Sequence, residues 1–321
     1  LSKVFEKVFY NRFINFLKTY KILYQFQFGF REKHSTYMAL LILLDKIINA
    51  LENGQYTIGV FLDFSKAFDT VDHTILLDKL EFYGIRGVAK MWIKNYLSDR
   101  LQCVSYGGVT SEYKTVTCGV PQGSILGPLL FLVYVNDLAL VSPDLFTLLF
   151  ADDTNIFITG DSLNHLSLKL NSELNKLVTW IKANKLSLNI KKTNYMIFTP
   201  KNKPAHDIDL LIDKEKITRV KETKFLGVIL DQNLSWKSHI LHVKNKISKN
   251  VGILYKARQK LGHKYLLTLY NTLILPYLSY CNIIWGSSNN TSLLPLLMLQ
   301  KRILRCVCNL TKYASTSSYF K

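Results

Sequence analysis

The stretch FTLLFADDTNIFIT, residues 146–159, decides the reading of this chain. Two apolar runs flank Ala151-Asp152-Asp153, a pattern that predicts strand, tight turn and strand with both carboxylates at the tip. Adjacent carboxylates repel each other and are costly to bury, so a cation is expected among them. A third carboxylate stands 89 residues before Asp152, where Thr57–Asp63 carries Ile58, Val60, Phe61 and Leu62. That nearly continuous apolar run predicts a buried strand, and the strand ends on Asp63. Hard divalent cations with oxygen ligands fit such a set. Mg²⁺ in particular combines one or two protein carboxylates with substrate phosphates, and paired ions serve in-line phosphoryl displacement. Taken alone, Asp152-Asp153 reads equally well as ordinary turn chemistry. The strand-terminal Asp63 and the charge distribution below favour the metal reading.

Outward from this centre the pattern is mixed α+β. Residues 1–55 read as helical: Val4, Phe5, Val8, Phe13 and Phe16 open the segment, and Met38–Leu51 forms a second helix ended by Asn53-Gly54. Gly29–Arg31 is a turn between them. A helix over Asp72–Tyr83 stops at Gly84, and Cys103–Thr117 predicts a hairpin around Gly107-Gly108. Gly119–Gly123 is a loop, followed by a buried helix over Leu126–Val135. Leu163, Leu166, Leu170, Leu174, Leu177 and Ile181 mark one face of a long amphipathic helix. Tyr195–Thr199 and Lys224–Leu230 read as strands. From Ser238 onward Ile240, Val243, Ile247, Val251 and Leu254 form an apolar stripe, with Lys249, Lys256 and Lys260 on another face.

Composition sets the class. The chain has 321 residues, 48% of them hydrophobic, enough for one large domain or two to three packed subdomains. It opens on Leu1, which reads as a fragment or processed product, and no signal peptide is expected. Residues 1–181 carry 17 basic and 17 acidic side chains, whereas residues 182–321 carry 24 and 6. After Asp231 there are 13 Lys and Arg and no acidic residue. Such a run is explained better by a polyanionic partner than by a solvated face, with nucleic acid ahead of an anionic membrane surface. Leu266–Trp285 is apolar enough to raise a membrane span, but Asn271, Pro276 and Asn282 point instead to a buried helix broken at the proline. Five cysteines at irregular spacing argue against a disulfide framework. Cys306 and Cys308 read as buried helical thiols rather than half a zinc site, and His239 and His242 as surface histidines.

Three motifs then carry a resemblance. Phe61–Asp69 (FLDFSKAFD), Gly119–Pro128 (GVPQGSILGP) and Phe150–Asp153 (FADD) resemble motifs A, B and C of reverse transcriptases, in order and in spacing. With the QFGFR segment, Gln27–Arg31, the likeness is to non-LTR retrotransposons of the jockey and CR1 kind, and it runs over nearly the whole chain. It implies a right-hand α+β polymerase with an antiparallel-sheet palm, helices on one face, partial fingers and a helical thumb. Residues 1–235 would form fingers and palm, and residues 236–321 the thumb and a C-terminal extension. It implies further that Asp63, Asp152 and Asp153 hold two Mg²⁺ ions (Mn²⁺ as a substitute), with the Phe64 carbonyl as an extra ligand. Phe68 would be the steric gate against ribonucleotides. Gln122, Gly123 and Arg31 would line the nucleotide pocket, Lys192 would protonate the leaving pyrophosphate, and Phe225-Leu226-Gly227 would be the primer grip. Basic residues such as Lys249, Lys256 and Lys260 would hold the template–primer backbone.

The expected partners are an RNA template, a DNA primer or target, and deoxynucleotides, with nuclear action and no membrane. Relatives begin further upstream with an arginine-bearing fingers segment, and neither an endonuclease domain nor a complete zinc knuckle is in view. Two other readings follow: a catalytically inactive nucleic-acid-binding remnant, and another polymerase class such as a viral RNA-copying enzyme or a group II intron protein. FADD and the phenylalanine at 68 argue against the last.

Overall fold

The computed structural model describes residues 2–318 other than 202, 312 and 317. Its chain forms two compact units, Leu1–Val220 and Lys221–Lys321.

The first unit is built on one sheet. Its strands are β1 (Tyr56–Leu62), β2 (Phe146–Phe150), β3 (Asp153–Gly160), β4 (Asn194–Phe198) and the short β5 (Thr218–Arg219). They lie in the order β5-β4-β1-β3-β2, antiparallel throughout except for β5 beside β4. Every residue of β1 is buried. Alternation explains this: Tyr56, Ile58, Val60 and Leu62 join the main core, while Thr57 and Phe61 project to the other face. The helix Thr36–Glu52 covers that other face, with Leu43, Ile47 and Ala50 lining a cavity with Thr57 and Phe157. The sheet is thus covered on both sides, not on one. A strand clothed on both faces needs a near-continuous apolar run, and β1 has one, interrupted only by Thr57.

The main core gathers the helices Gly127–Val135 and Leu163–Ala183, the latter burying the whole predicted leucine stripe. Eight of the nine residues of Gly127–Val135 are buried, as expected of a helix apolar all round. In the first helix, Ser2–Thr19, the buried residues are Glu6, Phe13, Ile14 and Leu17, whereas Val4, Phe5 and Val8 are exposed. Residues 101–115 form two short nested strand pairs closed by Gly107-Gly108, as the hairpin reading requires. The helix Gly87–Leu97 has no counterpart in that reading.

The second unit is mostly helical. It opens with a hairpin, Glu222–Phe225 and Val228–Asp231, turned at Leu226-Gly227 with φ of 44° and 81°. The single strand expected over 224–230 is therefore two, because positive φ at both turn residues reverses the chain. The hairpin belongs with the helix Lys237–Ala257: Asp231, 7% exposed, accepts hydrogen bonds from the amides of Asn233, Ser235 and Trp236 at 2.9–3.0 Å. This places the division at 220/221, before the hairpin rather than after it.

His239 is buried, not superficial. Its Nδ1 accepts from the Ile229 amide at 3.3 Å, and its ring meets Trp285 at 5.5 Å. Burial, and secondarily His242, pushes its pKa down to about 4. The apolar window after Leu266 breaks at Ile274, just before Pro276, into His263–Leu273 and Leu275–Ser279, and the second piece buries none of its residues. Among the described residues no helix is long and apolar enough to cross a membrane. Cys306 is buried and Cys308, which caps the helix Asn290–Val307, is half-buried.

Candidate active site

Strand register brings the three aspartates together. β1 and β3 pair with Leu62 opposite Thr154, so the next residue of each toward the sheet end is Asp63 and Asp153. β2 and β3 close on the pair Phe150 and Asp153, leaving Ala151 and Asp152 as a two-residue turn. A slip of one residue would turn Asp63 to the opposite face. The carboxyl of Asp153 is held above the ordinary carboxylate range by the packed atoms around it, then by the charges of Asp152 and Asp63.

A fixed support stands behind Asp63. Its amide donates to Thr193 Oγ1 at 3.3 Å and its carbonyl accepts from the Asn189 amide at 2.7 Å. The Ser65 amide bonds the Ser187 carbonyl at 2.8 Å, so Phe64 and Leu188 face each other without exchanging hydrogen bonds. The Phe64 carbonyl therefore points away from that ladder. The same supporting turn delivers Lys192, whose Nζ lies 3.9 Å from Asp63 Oδ2. Lys191 is exposed.

The loop Gly119–Gly123 is zipped to the segment after Asp63. Gly119 donates to the Val71 carbonyl at 2.7 Å and Val120 to the Phe68 carbonyl at 2.9 Å. Gly119 is required twice over: its φ is 87°, and a Cβ would fall 2.8 Å from the Asp69 carbonyl oxygen. Gln122 Nε2 donates to Asp69 Oδ1 at 2.9 Å, which fixes an otherwise exposed side chain. Asp69 is thus an orienting residue that the motif reading quoted but did not use. Phe68 is half-buried, stacked on Phe131 at 4.2 Å between centroids and edge-on to Phe30 at 6.1 Å. Gly123 is exposed, with φ of 77°.

Arg31 is not brought to the aspartates by any bond. Its Nη1 donates to the carbonyls of Tyr24 and Gln27 at 2.8 and 3.0 Å, and it lines a cavity with Lys18, Lys21 and Leu140. The segment it braces runs along β2: Phe28 donates to the Leu149 carbonyl at 2.8 Å and Leu149 to the Phe26 carbonyl at 3.0 Å. Gly29 then presses on the turn, where a Cβ would lie 2.2 Å from the Ala151 nitrogen. Phe225, Leu226 and Gly227 form the tip of the second unit's hairpin; Lys249 and Lys256 are exposed on its first helix, whereas Lys260, expected on that helix, is exposed in the turn after its end at Ala257.

The donor set is hard oxygen, and among the described residues the cation paired with these carboxylates is Lys192, 3.9 Å from Asp63. Among the described residues no three metal-ligating side chains converge closely enough to enclose an ion unaided. Carboxylates that share one end of the sheet without enclosing an ion by themselves fit a metal that arrives with substrate phosphates better than a permanent structural ion.

A family described as Reverse transcriptase (RNA-dependent DNA polymerase) matches residues 1–230. The chain is 28% identical over 326 residues to the RNA-directed DNA polymerase from mobile element jockey of Drosophila melanogaster, covering 98% of this chain and 35% of that protein. It is 27% identical to the probable RNA-directed DNA polymerase from transposon X-element of the same organism, over 96% of this chain and 34% of that one. It spans about a third of the length of these relatives. Among solved structures, telomerase from Candida albicans in complex with a fragment of telomeric RNA aligns over 98% of this chain and 55% of that one, at 11% identity and TM-score 0.48.

Proposed function

The chain belongs to the reverse transcriptase (RNA-dependent DNA polymerase) family, and from that premise we propose that it copies an RNA template into DNA by nucleotidyl transfer. The observation that carries the proposal is the strand register that sets Asp63, Asp152 and Asp153 at one end of the sheet, with the charges of Asp152 and Asp63 both felt at Asp153. In this reading the carboxylates of Asp63, Asp152 and Asp153, with the Phe64 carbonyl, hold two Mg²⁺ ions. Bound there, such ions would neutralise charge on the attacking and leaving oxygens of an in-line displacement.

The remaining roles belong to the chain's own groups. Lys192 stands beside Asp63 with its ammonium exposed, suited to give a proton to pyrophosphate as it leaves. Phe68 offers an aromatic edge held against Phe131, where it would exclude a ribose 2′-hydroxyl. Gln122, oriented by Asp69, and Gly123, which lets a ligand approach the backbone, would line the nucleotide pocket. In the second unit, Phe225-Leu226-Gly227 and the exposed Lys249, Lys256 and Lys260 would bind primer and duplex backbone, with the steep salt dependence of phosphate contacts. Kinship with polymerases of mobile elements makes chromosomal DNA the expected target and the nucleus the expected place of action.

Primer extension on an RNA template with an annealed DNA primer tests this. Mg²⁺-dependent incorporation of deoxynucleotides, abolished in Asp152→Asn while duplex binding persists, is the expected result. Incorporation that survives both Asp152→Asn and Asp63→Asn would remove the two-metal assignment.

A further inference from the structure

A turn that presents neighbouring carboxylates must be held against their repulsion, and this one is also conformationally strained. Of its two loop residues only Ala151 has positive φ, 58°. That sign pattern belongs to a type II′ turn, whose first loop position is ordinarily glycine. An alanine persists there only where its surroundings over-determine the conformation.

Those surroundings centre on one amide. Gln27 is 2% exposed, and its Oε1 accepts from the Ala151 N–H at 3.0 Å and from the Gly29 N–H at 2.8 Å. The backbone on both sides of Gln27 is fixed to Leu149, and the Gln27 carbonyl accepts from Arg31, so the side chain cannot drift from the turn. Its Nε2 is buried with no partner among the described residues. A half-satisfied buried amide is a poor way to fill space, and an apolar side chain of the same length would pack there without that penalty. The acceptor oxygen is what accounts for glutamine.

We infer that Gln27 is a positioning residue, whose side-chain carbonyl holds Ala151 in its left-handed conformation and so fixes where Asp152 and Asp153 stand. Its kinetic consequence rests on the polymerase reading above; its conformational consequence does not. The segment Gln27–Arg31 thereby acts on the carboxylate turn from outside the sheet, through Gln27 and Gly29, while Arg31 secures Gln27.

The test compares the unmodified chain, Gln27→Met and the double variant Gln27→Met/Ala151→Gly. Methionine keeps the length and loses the acceptor, and glycine takes positive φ without steric cost. In Gln27→Met the Ala151 amide should exchange with solvent about tenfold faster, as expected for one lost buried hydrogen bond. Its kcat for primer extension should fall about tenfold, and half-maximal rate should need several-fold more Mg²⁺. Template–primer affinity should stay within twofold. The double variant should regain most of the lost kcat, which a residue that merely packs would not allow. Two results overturn the inference: exchange and kcat of Gln27→Met within twofold of the unmodified chain, or a lost kcat that glycine at 151 leaves unrestored. If Gln27→Met does not fold, exchange in the unmodified chain still decides, since a freely exchanging Ala151 amide refutes the bond and a protected one supports it. If the unmodified chain incorporates nothing, the polymerase reading fails, and the exchange measurement judges Gln27 alone.

Discussion

Replacing Gly29 with alanine should uncouple the carboxylate turn from its support. The added Cβ would lie 2.2 Å from the Ala151 nitrogen, 2.9 Å from its Cα and 3.0 Å from its Cβ, whereas ordinary contact is 3.4–4 Å. Two of these three atoms are backbone, so no rotamer change relieves the clash, and the two segments must part by about 1 Å. Overpacking of this kind costs about 1–3 kcal/mol of stability. A displacement of about 1 Å at reacting groups costs on the order of 100-fold in rate. Gly29→Ala should therefore lose about 100-fold in kcat for primer extension with duplex affinity intact, and its urea midpoint should fall. Gly54→Ala is the matched control: its φ is 71° but a Cβ there meets nothing within 4 Å. Strain alone should cost it about 1 kcal/mol and leave kcat unchanged. Equal kcat in Gly29→Ala and the unmodified chain would refute the idea that this glycine sets the turn.

Asp153→Asn should raise the unfolding midpoint at pH 7 while abolishing incorporation. The folded-state pKa of Asp153 is raised, so its ionisation opposes folding above that pKa and the penalty fades as pH falls through it; the difference between variants should vanish near pH 4. His239 works in the opposite sense to an ordinary paired histidine. With a folded pKa of about 4 against the ordinary 6.5, the unfolded chain binds the extra proton, so stability should decline as pH falls from 6.5 toward 4. The loss is on the order of 3 kcal/mol, and His239→Phe should flatten the profile in pH-dependent denaturation. Phe68→Ala should admit ribonucleotides in competition assays and cost about 2–3 kcal/mol, since its ring also stacks on Phe131.

The site was legible where one side chain has one plausible use. A carboxylate that ends a buried apolar strand contradicts local preference and marks Asp63; Asp152 and Asp153, ordinary in a turn by themselves, are marked by standing side by side and by their pairing with Asp63. What supports them was not legible. Nothing local says that Gln27 reaches Ala151, because the bond joins positions 124 residues apart. Asp69 was written in the motif, but its use depends on where Gln122 lands. His239 could have been placed from sequence: it precedes Val243 by four and Ile247 by eight residues, on the buried stripe of its helix. The helix Gly87–Leu97 begins on a glycine with φ of 57°, after Arg86, which offers no side-chain cap, so neither start signal was there to read. The hairpin at Leu226-Gly227 follows from the resemblance of Phe225-Leu226-Gly227 to a primer-grip hairpin, whereas the apolar pattern over 224–230 alone reads as one strand.

The central place of β1 has a consequence for how the chain is made. Its partners β3 and β4 begin at Asp153 and Asn194, about 100 and 140 residues later. At roughly 5–20 residues per second of synthesis, this largely apolar strand waits on the order of ten seconds before either edge can be paired. During that interval it is the segment of the nascent chain best suited to pair with a neighbour's. The strand that ends at the candidate site is therefore exposed early, and the chain's yield in a cell should depend on a chaperone able to hold residues 56–62 until residue 198 has emerged.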